Sequence, residues 1–194
     1  MVRLRPYKRS DAPKVLQWIP GEPGFSMWCA GKFRYPLTSE QLSAYRLKYE
    51  EDPRAWIFMA LDEEGVPVGH FLMRDADYET ETIHLDFIVV DPRRRGFGYG
   101  KDTVRQALRF AFTILRMRKV TLCVFEKNLS ARYCYKSVGF EETGRKENVY
   151  QFGEESWTVI EMAATKIREQ AVPHTQLKVL PSNWKKNRGE KVEI

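Results

Sequence analysis

The chain has 194 residues, of which 43% are hydrophobic, 13% aromatic and 30% charged, which suits one domain with a sizeable core. Glycine (12) and proline (10) are near average usage, no apolar run approaches the ~18–20 residues of a membrane span, and Met1-Val2-Arg3-Leu4-Arg5-Pro6 lacks the apolar stretch of a signal peptide; collagen-like, low-complexity and membrane-spanning classes are therefore not expected. Of the net charge of +6, +4 falls in residues 166–194, so the body is nearly balanced and its charge alone does not argue for nucleic acid.

In chain order, Val2–Pro6 reads as a short strand, and Ser10 or Asp11 caps a helix to about Ile19 with Val15, Leu16, Trp18 and Ile19 on its apolar face. Residues 20–37 read as a loop rich in glycine, proline and aromatics, open to two roles: a substrate lid or a packed connection. Thr38-Ser39-Glu40-Gln41 has capping-box spacing and opens a helix through Tyr49. The period then changes from 3.6 to 2. Residues 55–60 and 66–73 form a hairpin across Glu63-Glu64-Gly65, and a third strand runs from Thr82 to Val90. Strict alternation along that strand sets His84, Asp86, Ile88 and Val90 on one face and Leu85, Phe87 and Val89 on the other. A helix follows from about Gly100 to Arg116, with Val104, Leu108, Ala111 and Leu115 on one side. Then come a strand at 120–125, a helix at 129–138, and strands at 140–143 and 157–163. This order predicts an α/β domain over residues 1–165, one mixed sheet with helices on both faces. Residues 166–194 form a basic C-terminal extension, whose Leu177, Val179, Leu180 and Trp184 carry enough apolar bulk to dock.

Two stretches carry chemistry. In Val89-Val90-Asp91-Pro92-Arg93-Arg94-Arg95-Gly96-Phe97-Gly98-Tyr99-Gly100-Lys101 a strand feeds a glycine-rich turn that opens a helix. Glycines let the backbone approach an anion, successive N–H groups point outward, and the helix dipole favours negative charge. Each exposed helix-end interaction is worth only ~0.3–1 kcal/mol, so several must combine. The dinucleotide pattern G-x-G-x-x-G fails because Lys101 stands at its third glycine. The P-loop pattern fails because Arg95 and Asp102 replace its first glycine and its hydroxyl. What remains, Arg95-x-x-Gly98-x-Gly100 after an aliphatic strand, resembles the acyl-CoA pyrophosphate loop of the GNAT N-acetyltransferase superfamily. Downstream, Asn128, Ala131, Tyr135, Gly139 and Phe140 stand in register with that superfamily's N-x-x-A-x-x-x-Y-x-x-x-G-F signature.

The resemblance covers roughly residues 1–165. It implies a GNAT-type, mostly antiparallel sheet of about seven strands, splayed between the fourth and fifth, and an acetyl-CoA-dependent N-acetyltransferase, an acyltransferase that works by direct attack of a primary amine in a ternary complex. It implies that backbone groups of Phe87, Ile88, Val89 and Val90 hold the pantetheine, one of their N–H groups polarising the thioester. The N–H groups of Arg95, Gly96, Phe97, Gly98, Tyr99, Gly100 and Lys101 would take the pyrophosphate, and Asn128 and Ala131 would contact the cofactor arm. Tyr135 stands where the superfamily has its general acid. Core packing is the other reading of Tyr135, and a simple helix N-cap the other reading of Asn128. Leu85-Asp86 is similar to the diamine-acetyltransferase pattern with its proposed carboxylate base; the alternatives for Asp86 are a salt bridge to an arginine or a hydrogen bond to His84. Arg5-x-x-x-x-x-Asp11 loosely resembles the branch that acetylates ribosomal-protein N-termini, but Cys123 stands where that branch has a glutamate, and Glu81 and Glu126 are held in reserve.

Trp18, Phe25 and Trp28 are candidates to line an acceptor groove, together with residues 20–37 and the Tyr150–Trp157 hairpin. The acceptor is an amine on a small molecule or a protein N-terminus. The three scattered cysteines (Cys29, Cys123, Cys134) and unpaired histidines indicate neither a disulfide framework nor a metal, and a reducing cytoplasm is the expected compartment. Trp184 among Lys185, Lys186 and Arg188 is one stacking aromatic, so nucleic acid is not an expected partner. The competing readings are an acyl-CoA-binding sensor without turnover and a ribosome- or RNA-associated protein. An exposed final strand would admit a second copy and so a homodimer.

Overall fold

A computed structural model describes residues 1–19 and 21–166. Seven strands form one sheet: β1 (Arg3–Pro6), β2 (Trp56–Leu61), β3 (Pro67–Asp77), β4 (Thr82–Val90), β5 (Lys119–Phe125), β6 (Glu141–Phe152) and β7 (Glu155–Thr165), in the spatial order β1-β2-β3-β4-β5-β7-β6. Every neighbouring pair is antiparallel except β4 and β5, which run parallel. The expected mixed sheet with seven strands is therefore present.

The parallel pairing is short. Only Thr82, Ile83 and His84 meet Lys119, Val120 and Thr121; beyond them the two strands are not partners, and the sheet parts between its fourth and fifth strands. The His84 ring Nδ1 and the Thr121 hydroxyl, 2.9 Å apart, hold the last paired position together. An edge opened inside a sheet leaves backbone groups without strand partners, and those groups need a ligand or water.

Helices cover both faces. α1 (Ala12–Trp18), α2 (Gly21–Cys29) and α3 (Ser39–Glu50) lie over one, and α4 (Tyr99–Arg109) and α5 (Leu129–Lys136) over the other. Two cores follow. Trp18, Phe25, Leu42 and Met59 lie in the first, and Val104, Ala107, Leu122 and Phe140 in the second. α4 runs on into a π-turn over Phe110–Ile114, where the Leu115 N–H reaches the Phe110 carbonyl at 3.1 Å. α3 starts as the sequence indicates, with the Thr38 hydroxyl accepting the Gln41 N–H at 3.3 Å.

Three expectations need correction. Residues 21–29, read as loop, form α2, whose Phe25, Ser26 and Cys29 are buried in the first core; burial decides the segment despite its glycines and prolines. Strands β3 and β6 run well beyond their expected ends, because polar residues such as Arg74, Asp77 and Lys146 pair through their backbones regardless of side chain. The chain's final strand is not an edge: β7 lies between β5 and β6, so the open edge belongs to β6. The expected basic extension, including its docking residues, lies outside the described residues except for Lys166. Among the described residues no helix is long and apolar enough to cross a membrane.

Candidate active site

The turn after β4 is built to leave its N–H groups unused. The Asp91 side chain accepts the Arg93 N–H at 3.0 Å and grips the Arg93 guanidinium at 3.2 and 3.1 Å, while Arg94 reaches Asp62 at 3.4 Å. Two of the three arginines are thus spent on the turn itself. Arg95 is exposed and has no carboxylate partner among the described residues. Gly96 (φ +82°) and Gly98 (φ +84°) adopt left-handed backbone that disfavours side chains, and a Cβ at either would meet nothing within 4 Å. Gly98 is the N-cap of α4, and the first helical bond there is from the Asp102 N–H to the Gly98 carbonyl at 3.0 Å. The N–H groups from Gly96 to Lys101 find no acceptor among the described residues. This open, N–H-lined cradle at a helix start fits a pyrophosphate. Phe97 stands at its tip, 76% exposed.

On the neighbouring helix, Asn128 caps α5, its side chain accepting the Ala131 N–H at 3.3 Å and the Ser130 hydroxyl at 3.2 Å. Tyr135, one helical face away from the exposed Tyr133, is only 8% exposed and packs against Phe140 with ring centroids 6.0 Å apart. Burial, with lesser help from Cys134 and Asp86, pushes its hydroxyl pKa up. Such a hydroxyl stays protonated at all working pH values; it can give a proton but does not serve as a base. Gly100 brings α4 close to this helix, since a Cβ there would lie 3.8 Å from the Cys134 sulfur and 3.6 Å from Val90.

The strand between these parts does not alternate as expected. His70 pairs with Val89 and Leu72 with Asp86, so β4 carries one extra residue and Phe87 sits at φ +51°, a bulge in an aromatic residue. The faces switch there. Ile83 and Leu85 belong to the core under α4, Phe87 and Val89 to the core under α1–α3, and Ile88 packs against the former. Asp86 consequently shares a side with Phe87 instead of opposing it. Its carboxylate binds Lys32 and, at 3.0 Å, Arg74; its other oxygen accepts the Phe87 N–H at 3.0 Å, so that strand group is already engaged. Burial opposes the charge on Asp86, but Lys32 and Arg74 outweigh it and hold the carboxyl below its usual range. The hydrogen-bond partner of the His84 ring is Thr121, not Asp86. Burial and Arg74 push the His84 pKa down to about 4, so the ring is neutral.

Beside the bulge lies a cavity of about 920 Å³ between α3, the loop after α2 and β4. Its cations are Lys32, Arg34, Lys48 and Arg74, its rings Phe33, Tyr45, Tyr49 and Phe87, and no lining residue is acidic. Lys32 lies over the Phe87 ring at 5.1 Å, and the Tyr45 hydroxyl meets His70 Nε2 at 3.2 Å. The β6–β7 hairpin reaches this loop, the Tyr150 ring lying 3.1 Å from where a Gly31 Cβ would stand.

Trp18 and Phe25 do not line the cavity. They are 2% and 3% exposed in the core, because the helices that carry them dock on the sheet and need those rings as their apolar face. Trp28 backs the wall instead: it stacks on Phe33 (5.3 Å, 11°) and touches Phe87 (5.3 Å). Of the reserve carboxylates, Glu81 pairs with Arg118 and Glu126 with Arg145 at the surface. Lys32, Phe33 and Arg34 fall within the stretch 20–37 expected to line the groove, though none was singled out. Sequence reading missed Tyr45, Lys48, Tyr49 and Arg74. Arg74 left a signal, a charge ending the apolar run Phe71-Leu72-Met73 on the strand paired with β4; the others left none.

The family model described as the acetyltransferase (GNAT) family matches residues 23–140. The peptidyl-lysine N-acetyltransferase YjaB of Escherichia coli (strain K12) is 34% identical over 133 residues, 66% of this chain and 80% of that protein. The spermidine N(1)-acetyltransferase of Vibrio cholerae serotype O1 is 29% identical over 142 residues, 73% of this chain and 79% of that one. In fold, the chain is similar to a crystal structure of spermidine N-acetyltransferase from Vibrio cholerae in complex with CoA and spermine, with a TM-score of 0.75 at 21% identity over 84% of this chain and 95% of that one.

Proposed function

Because the chain belongs to the GNAT family of acetyltransferases, we propose that it moves an acetyl group from acetyl-CoA to a primary amine by direct attack within a ternary complex. The observation that carries this reading is the turn at 96–101, whose N–H groups find no acceptor among the described residues, next to a parted sheet. Acetyl-CoA supplies the acetyl group as an activated thioester. The N–H groups of Gly96–Lys101 hold its pyrophosphate; the Arg95 N–H, expected to join them, is bonded to the Pro92 carbonyl at 3.5 Å, and Arg95 adds only its side-chain charge. Backbone groups of Ile88–Val90 pair with the pantetheine where β5 has left β4, while Asn128 and Ala131 flank the arm.

The amine enters from the cavity side of the bulge. Lys32 and Arg74 act on it before any base does: neighbouring cations disfavour an ammonium and lower the pKa of an incoming amine. Asp86 is held ionised and is a weak proton acceptor in its own right; it receives the amine's hydrogen bond and passes the proton to water. Tyr135, protonated throughout, gives its proton to the departing sulfur. The acceptor class spans peptidyl amines and small amines, by analogy with the relatives' names.

The test is calorimetry with acetyl-CoA followed by thiol release over a panel of amines, using the full chain. Binding heat plus release with at least one amine is expected. No heat from well-folded protein would overturn the reading. Heat without release from any amine would instead favour the sensor.

A further inference from the structure

The cavity beside Asp86 is lined by positive charge. Four cations line it and no acid does; Lys32 and Arg74 are paired with Asp86 and Asp75. Arg34 and Lys48 are exposed and find no carboxylate partner among the described residues; the Lys48 ammonium rests over the Tyr49 ring at 5.1 Å. The backbone that carries Arg34 is fixed, its N–H donating to Gln41 at 2.8 Å and its carbonyl accepting from the same side chain at 2.9 Å. The surplus of two positive charges therefore sits on a built wall. It faces the same cavity as the bulge residue Phe87.

From this we infer that the acceptor is an amine whose carrier also bears a carboxylate, and that Arg34 and Lys48 bind that carboxylate while the amine points to Asp86. The inference rests on the reading of this cavity as the amine's entrance. A polyamine would bring several positive charges against a wall that already has an excess of them, and like charges in a partly dry cleft repel. A carboxylate there gains two charge-assisted partners, and the guanidinium of Arg34 can hold it in bidentate fashion. The specificity so built excludes polycations by repulsion as much as it attracts anions.

Three probes share one alkylamine and differ only at the far end: aminocaproate (negative), hexylamine (neutral) and cadaverine (positive). The expected order of kcat/KM is aminocaproate, then hexylamine, then cadaverine, with steps of about tenfold that shrink as salt is added. The double variant Arg34→Glu, Lys48→Glu, at two exposed positions, should reverse the order. Cadaverine or spermidine as the best acceptor, or three equal rates, would overturn the inference. Protein that binds acetyl-CoA but acetylates none of the three would defeat the transferase reading instead; calorimetric affinities of the same probes would then still decide the charge preference. A glutamate-rich peptide with one lysine, run beside free aminocaproate, tells a protein source of the carboxylate from a small-molecule one.

Discussion

The two mouths of the parted sheet are made in opposite ways. The proposed cofactor side is a contiguous run from Asp91 to Lys101, in which the main chain would supply the donors while two side chains, Arg93 and Arg94, brace the turn. The proposed acceptor side is assembled from the loop after α2, from α3, from β3 and from the β4 bulge, and there side chains would supply the charges and rings. A main-chain site tolerates substitution except where a Cβ is forbidden, and it binds the part of the substrates that never changes. A side-chain site can be re-specified by exchanging a few exposed charges while the fold stays put.

That contrast can be broken at several points. Tyr135 belongs to neither wall, and Tyr135→Phe should lower kcat by ~10²–10⁴ with acetyl-CoA affinity nearly intact; normal turnover in stopped assays would remove its proton-donor role. Gly98→Val strikes the main-chain site at its left-handed residue. A β-branched side chain at φ +84° costs about 1–3 kcal/mol of backbone strain, and acetyl-CoA affinity measured by calorimetry should fall about tenfold or more by that same strain. Unchanged affinity would mean the cradle does not hold the pyrophosphate.

On the acceptor side, Asp86→Asn should lower kcat/KM by about tenfold, the value of one charge-assisted hydrogen bond, and shift the acid limb of the pH–rate profile to lower pH, because Lys32 and Arg74 then stand uncompensated beside the amine. Lys32 and Arg74 keep this carboxyl ionised down to below its usual range, so the limb near neutrality reports the amine. A limb abolished by the variant would show Asp86 titrating in the working range, and a limb that stayed in place would show that the amine does not lie beside Asp86.

The smallest functional effect is expected at a residue outside both walls. Asp11, buried, receives both guanidinium nitrogens of Arg5 at 2.6 and 2.7 Å and the Lys8 N–H at 2.8 Å. Burial opposes its charge, but these donors prevail and depress its pKa. A depressed carboxyl stabilises the fold fully above its unfolded value of about 3.9, and that contribution disappears as pH falls through the lower folded value. Asp11→Asn should cost about 1–3 kcal/mol in urea unfolding, flatten the loss of stability on acidification below pH ~4, and leave the heat of acetyl-CoA binding unchanged. A large change in that heat would make the Arg5–Asp11 pair part of the site. Its spacing, which resembles a substrate-specific branch of the family, here serves as a clamp between β1 and α1.

The amino-acid order alone determined the sheet with its helices, the glycine turn and the positions of Asn128 and Tyr135, because each of these rests on local periodicity or on a contiguous pattern of backbone needs. It also placed Asp86 on the right strand. It could not place Asp86 on the right face, since one inserted residue at Phe87 reverses every later side chain and bulges leave no composition signal. Nor could it choose between core and groove for Trp18, Phe25 and Trp28: an aromatic in a glycine-rich stretch satisfies either until packing decides. Lys32, Arg34, Lys48 and Arg74 lie on three separate segments and look like ordinary solvated charges in the chain. Only tertiary structure brought them around one cavity, because a local field is a sum over space and not over sequence.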